Sequence, residues 1–512
     1  MVIKEVRLIL GDQLYGGHSW FDKVNPEVLY LMMEVRSETD YVSHHIQKVV
    51  AFFAAMRAFA ADLSAKGHQI LYLGLDDPRN KQSFGENLMW VLEENPEAAW
   101  AYQLPDEYRL DQLFMELSSQ FKVSSRRVDT EHFLCERGAV KDFFVGKKQY
   151  LLESFYRNLR KQTGLLMEGS KPSGGKWNFD SENRQKYYGQ VPLPPRLKLA
   201  NQVDELLEMV RKAGVQTIGS IHNNQLEWPI NRVQSLQLLE HFCKHGLPHF
   251  GSYQDAMSEA DPFLFHSRIS FALNAKILHP REVLDRVVQE WEDRPDQISL
   301  AQVEGFVRQI LGWREYIRGI YWAEMPAYLE SNALGHKLPL PSWFWNAKTR
   351  MRCLSHSIEQ SLQYAYAHHI QRLMVTGNFA LLAGIAPAEV DRWYLGIYID
   401  AIEWVELPNT RGMSQFADGG LLATKPYVSS ANYLRKMGHY CEECSYDAKS
   451  RHGMLACPFN SLYWDFHDRH REKLIRNPRI GMVYRTWDKM DSAEQVAIRN
   501  KASWLKEHLE EL

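Results

Sequence analysis

Five apolar strand patterns alternate with helical ones over the first 130 residues; from about residue 230 onward strand signals nearly vanish. A chain written this way has to build a sheet first and a helical body second. The strands read as Val2–Leu10, Val28–Met33, Ile70–Leu75, Ala98–Leu104 and Lys122–Val128. Between them, Tyr41–Lys66 carries Val49, Phe52, Phe53, Met56, Phe59 and Leu63 at helical spacing, and Glu86–Glu93 and Glu107–Phe121 are helices. Such alternation predicts a Rossmann-like parallel sheet covered on both faces. Ligands in these sheets sit beyond the carboxyl ends of strands, which places Asp12, Glu34 and Glu38 near a candidate site. Neither G-x-G-x-x-G nor G-x-x-x-x-G-K-[ST] occurs, so the standard dinucleotide and P-loop sites are unsupported.

The middle of the chain is looser. Gly169–Lys176 is a flexible loop by composition and Val191–Arg196 a stiff, proline-rich connector. Between them, Asp180 and Glu182 are candidate ligands for Mg2+, although exposed loop acids often only solvate. Later, Val233–Lys244, Arg281–Trp291, Leu300–Trp313, Cys353–Tyr366, Ile370–Leu382 and Pro387–Glu403 all read as helices. The expected division is an α/β domain over 1–130, a connector over 131–228 and an all-α domain over 229–512.

Within the helical part, Tyr364–Cys457 is too rich in histidine, carboxylate, aromatic and thiol groups for a simple core. Cys441, Cys444 and Cys457 supply three metal ligands and Cys353 a fourth, a set that fits either structural zinc or a [4Fe–4S] cluster. By spacing alone zinc is the commoner occupant. Cys135 and Cys243 stand apart and read as ordinary thiols. His368 and His369 fall inside a helical pattern, and adjacent residues there point about 100° apart. Only one of them would face a given pocket, where an imidazole can act as general acid. The run His266-Ser-Arg-Ile-Ser270 and the paired glycines at 419 and 420 suggest a cofactor with phosphates and a flat ring. The 15 tryptophans and 24 tyrosines suit stacking on such a ring or electron hopping.

The net charge of −3 gives no global signal for nucleic acid, although Lys348, Arg350 and Arg352 make one local basic run. No apolar run reaches the roughly 18 residues of a membrane helix. The N-terminus lacks a signal-peptide core. A cytoplasmic monomer that contacts no membrane is expected.

Together these residues resemble the photolyase/cryptochrome superfamily, most closely its prokaryotic iron–sulfur branch, the bacterial (6-4) photolyases. The stretches that carry the resemblance are Leu8–Leu14, Tyr41–His45, Tyr150–Arg160, Gly164–Met167, Trp177–Arg184, Val303–Trp322, Ala365–Gly384 and Trp404–Tyr427, with the cysteine set. The resemblance implies light-driven repair of pyrimidine–pyrimidone (6-4) photoproducts in UV-damaged DNA, with FAD bound in the helical domain. A cryptochrome-like blue-light photoreceptor is the alternative; a cyclobutane-dimer photolyase and a cluster protein without photochemistry are less well matched. It further implies that Ser267, Arg268 and Ser270 form part of the FAD phosphate site, and that Gln309, Arg314, Asn378 and Asp400 line its pocket. Glu406 would stand near flavin N5, where other photolyases carry Asn. His369, with His368 and Tyr427, would meet the lesion. Trp393, Tyr394 and Trp345 would carry electrons from the surface, and the cysteines would hold [4Fe–4S] rather than zinc. The sheet domain would bind a 6,7-dimethyl-8-ribityllumazine antenna, with Asp12 and Glu38 as contacts.

Overall fold

A computed structural model describes residues 2–512. Strands β1 (Glu5–Leu8), β2 (Val28–Met33), β3 (Gln69–Leu73), β4 (Ala99–Gln103) and β5 (Ser125–Val128) form one sheet in the order β3-β2-β1-β4-β5. Every neighbouring pair is parallel; Val6 lies between Leu29 and Trp100. The five expected strands are all present, trimmed by a few residues at their ends. The continuous apolar run of β2 has a direct cause. Tyr30 and Met32 pack into the core on the side of helix α1 (Ile46–Ala65), while Leu31 and Met33 pack with helices α2 (Phe84–Glu94) and α3 (Tyr108–Gln120) on the other. At the edge, β5 exposes Ser125, Arg126 and Arg127, charges that discourage pairing with another chain.

Helix α1 starts at Ile46 rather than Tyr41. The side chain of His45 accepts from Gln47 N (3.1 Å) and fixes that start. His44–His45 also pairs with Thr217–Ile218 as a separate two-stranded sheet, so the connector returns to the start of α1.

Beyond Leu226 the described residues form helices and loops with only isolated bridges. Of three successive helices read from periodicity, one is broken and the other two have shifted ends. Arg352–Tyr364 stops at Ala365, which takes a left-handed φ of 53°. The next helix opens at His369, so His368 caps it rather than lying inside it. The third runs over Pro387–Ile397, leaves the helical path at Tyr398–Ile402, and resumes at Glu403–Pro408. These breaks are stitched together: Ile399 N donates to Ala365 O (2.9 Å). Arg308–Arg314, Arg372–Gly377 and Asn409–Ser414 are π-helical, a widening that recurs at functional sites.

The sheet and the helical body dock through buried polar contacts. Lys48 Nζ donates to Leu395 O (2.7 Å), and Gln47 Nε2 to Ser220 O and Gln363 O (2.7 Å each). Lys276 Nζ pairs with Asp12 (2.8 Å) and Asp106 (3.0 Å), and Arg318 with Asp106 (3.1 Å).

Candidate functional site

The stitched breaks create a recess. On one side Arg372 donates to Asp400 through both terminal nitrogens (2.9 and 3.2 Å), and its Nε holds Ala367 O (2.7 Å). Asn274 Nδ2 holds Asp400 O (2.7 Å). The helix carrying Gln309 and Arg314 closes in: Arg314 donates to Leu273 O (3.4 Å) and lies over the Trp404 ring, while Gln309 is exposed. Arg314 Nε and Trp404 Nε1 are buried without a protein partner. A donor left over in such a place fits a ligand rich in acceptors, as FAD is. Asn378 exchanges hydrogen bonds with Ser429.

Arg268 is partly committed to the protein, and its buried Nε has no protein partner. Its guanidinium donates to Leu197 O (3.2 Å) and Glu227 O (2.9 Å) and sits between Trp228 and Phe263. It braces backbone with its terminal nitrogens, and Ser267 and Ser270 beside it are half-buried.

His369 is open to solvent yet deep enough for burial to push its imidazole down to about 4, with Arg372 and Arg184 adding to the effect. An open side chain ringed by protein lies on the floor of a recess; the full drop applies once a ligand displaces the water. His368 is buried and stacks on His266 (5.0 Å, 12°). Tyr427 is half-buried; burial raises its phenol and Arg184 opposes this, so Tyr427 and His369 face the same arginine. Arg184 was not singled out from sequence. It also pairs with Asp180 (3.1 Å), as does Arg308 (3.2 Å). Two guanidiniums already neutralise the carboxylate offered for Mg2+. Glu406 is buried, accepts from Thr410 Oγ1, and is pushed well up by burial and then by Asp391.

Of the three aromatics expected to carry electrons, Trp393 and Tyr394 are in direct contact. Trp345 is 40% exposed. Its neighbour Phe344 meets Trp393 at 5.2 Å, Trp393 meets Tyr394 at 5.4 Å, and Tyr394 OH donates to Arg372 O (2.6 Å).

Cys353, Cys441, Cys444 and Cys457 line one small cavity with Tyr440, Tyr446 and Met351. Burial and then the neighbouring thiolates push Cys353 well up, while burial first raises Cys457 to about 12 and Cys441 to about 11. Four thiolates can share this space only around positive charge. Among the described residues no three His, Cys, Asp or Glu side chains are grouped to grip a single metal ion. Beside the cavity, the basic run is balanced by acid: Arg352 pairs with Glu259 (2.7 Å) and Glu443 (2.9 Å), and Arg350 reaches Tyr446.

A cavity of about 140 Å³ lies outside the carboxyl ends of β1 and β2, as strand order anticipates. Asp12, Glu38, Phe52, Met56, Glu107 and Ile402 are among its walls. Asp12 pairs with Lys276, and Glu38 with Arg109 (3.0 and 2.7 Å). Burial raises Glu107 to about 8 and lowers Lys48, also in the wall, to about 7.

A family model described as deoxyribodipyrimidine photo-lyase-related protein matches residues 7–226. The chain is 40% identical over 504 residues to a (6-4) photolyase of Agrobacterium fabrum, covering 98% of this chain and 99% of that one. Its fold is similar to that of a bacterial class III photolyase from Agrobacterium tumefaciens (TM-score 0.57, 14% identity, 96% and 98% of the two chains covered). It is also similar to that of the Synechocystis sp. PCC6803 cryptochrome (TM-score 0.55, 13% identity, 97% and 94% covered).

Proposed function

Because the chain belongs to the photolyase/cryptochrome superfamily, we propose that it repairs (6-4) photoproducts in UV-damaged DNA in a light-dependent reaction. One observation carries the reading. At the junction of two broken helices His369 stands open beside the Arg372–Asp400 pair, in a chain that matches a (6-4) photolyase end to end. The family uses FAD, which when bound and reduced supplies an electron on absorbing light.

The chain does the rest. Asp400 with Arg372, and Gln309 with Arg314, would orient the flavin; Ser267 and Ser270 would take its phosphates. Asn378, through Ser429, would fix the far wall. Glu406, with its proton affinity raised by burial and Asp391, would stand beside a flavin nitrogen. A damaged, poorly stacked base is the cheapest to flip out of a duplex, and the recess would receive it between His369 and Tyr427, with Arg184 opposing its negative charge. Trp345, Trp393 and Tyr394 would return electrons from the surface. The four cysteines around one cavity would hold the [4Fe–4S] cluster that the resemblance to the iron–sulfur branch implies. The cavity at the sheet would take the lumazine antenna through Asp12 and Glu38. Asp180 would hold Mg2+ only by exchanging its two arginines.

The test is direct. Reduced protein is illuminated with blue light on an oligonucleotide carrying one (6-4) lesion, and restored thymines are followed by chromatography against a dark control. Light-dependent restoration is expected. A protein that holds FAD and binds the lesion without restoring it would be the photoreceptor instead.

Two further outcomes are expected. His369, held near 4, is neutral from pH 6 to 8, so it donates a neutral N–H and repair should change less than about twofold across that range. A tenfold fall per pH unit above 6 would require an imidazolium and contradict this. Glu38→Gln keeps the shape of the antenna cavity and removes its charge. Chromophore released on denaturation should drop severalfold while FAD stays at the wild-type level; unchanged chromophore would place the antenna elsewhere.

A further inference from the structure

Gln371 is buried and every bond its amide can make is made. Its Oε1 accepts from His368 N (3.1 Å) and from Gln360 Nε2 (3.1 Å); its Nε2 donates to Gln360 Oε1 (3.0 Å) and to Tyr440 OH (3.1 Å). A backbone N–H can only donate, so the contact with His368 fixes which end of the amide is oxygen.

The far ends of these bonds lie in two different sites. Tyr440 lines the four-thiol cavity and precedes Cys441 in the chain. Gln360 sits on the helix Arg352–Tyr364, two turns after Cys353. His368 precedes His369 at the floor of the recess. One saturated amide thus joins two walls of the thiol cavity to the backbone that aims His369. The same glutamine pair reaches into the break: Gln360 Nε2 also donates to Tyr366 O (3.2 Å). Buried networks of this kind, fully satisfied, hold one arrangement and pass on displacement at any member.

We propose that Gln371 is a positioning residue that couples the thiol-lined metal centre to the histidines of the recess. The charge on that centre and the affinity of the recess for a flipped lesion are then linked. The inference rests on the reading that the four cysteines hold an iron–sulfur cluster. Linkage is reciprocal: if one-electron reduction of the cluster by dithionite changes lesion affinity tenfold, lesion binding shifts the cluster's midpoint potential by about 59 mV.

The experiment uses full-length protein, with iron and acid-labile sulfide assayed first. The cluster potential is titrated in the dark, free, with an undamaged oligonucleotide, and with the same oligonucleotide carrying one (6-4) lesion. The expected result is a shift of about 59 mV or more with the lesion alone. Tyr440→Phe, which removes one oxygen atom, and Gln371→Met should keep wild-type iron and FAD and lose the shift. If Gln371→Met does not fold, Tyr440→Phe decides. No shift in iron-containing wild-type protein, or the same shift in Tyr440→Phe, overturns the coupling. Absence of iron and sulfide overturns the cluster reading and the coupling with it. Failure to bind the lesion at all overturns the repair reading.

Discussion

His369→Ala should reduce light-dependent (6-4) repair by about 10²- to 10⁴-fold, the range for loss of a positioned proton donor, with FAD content and fold retained. The separation is expected because His369 is open on the floor of its recess rather than packed. Its removal takes no side chain from the core, and the Arg372–Asp400 pair that would hold the flavin does not depend on the imidazole. His368 is the informative contrast. It is buried against His266, so His368→Ala should cost stability as well as activity. Chromatography of repaired strands, FAD absorbance and the thermal midpoint distinguish the two cases. Repair in His369→Ala above a tenth of the wild-type rate would remove this histidine from the reaction.

The second large effect is expected at Cys353. It is the one cysteine of the four that comes from outside the segment 441–457, and it sits at the start of the helix that also carries Gln360. Cys353→Ala should bring iron from about four atoms per chain, the content of one [4Fe–4S] cluster, to near zero. The thermal midpoint should fall by several degrees, because the loop that carries the other three thiols exposes Met454 (86%) and Leu455 (63%) and has little core of its own. Cys243→Ala, an isolated thiol in a different part of the core, should leave iron unchanged. Metal analysis and a melting curve decide; full iron in Cys353→Ala would mean that this cysteine is not a ligand.

The sheet was legible because apolar runs and period-two patterns are local properties. So was the cavity at its edge: a strand followed by Gly11-Asp12, or by Glu34, opens at the carboxyl edge wherever the strand lies in a parallel sheet. The recess was not legible in the same way. Ala365, at φ 53°, is neither glycine nor proline, and the bend at Tyr398–Ile402 has no breaker, so periodicity ran straight through both. Their cause is a tertiary bond between residues 34 apart in sequence, Ile399 to Ala365. Arg184 and Gln371 were missed because a charged loop residue and a helical glutamine look like solvated positions until the fold brings their partners. At Arg268 and Asp180 residue type suggested phosphate and Mg2+; the fold adds what sequence did not show, two carbonyls on the terminal nitrogens of the first and two arginines on the second.

The cavity beyond β1 and β2 has one wall that does not belong to the sheet. Ala401 and Ile402, which line it, follow Asp400 directly in the helical body. The cavity is therefore a box only when the two halves of the molecule are closed on each other; the first 130 residues alone would make an open bowl. A chromophore held there would rest one peptide bond from the residue that grips Arg372. Its distance and tilt relative to a flavin at Asp400 would be fixed by covalent chain rather than by loop mobility, so excitation would pass between two rings whose geometry thermal motion hardly averages.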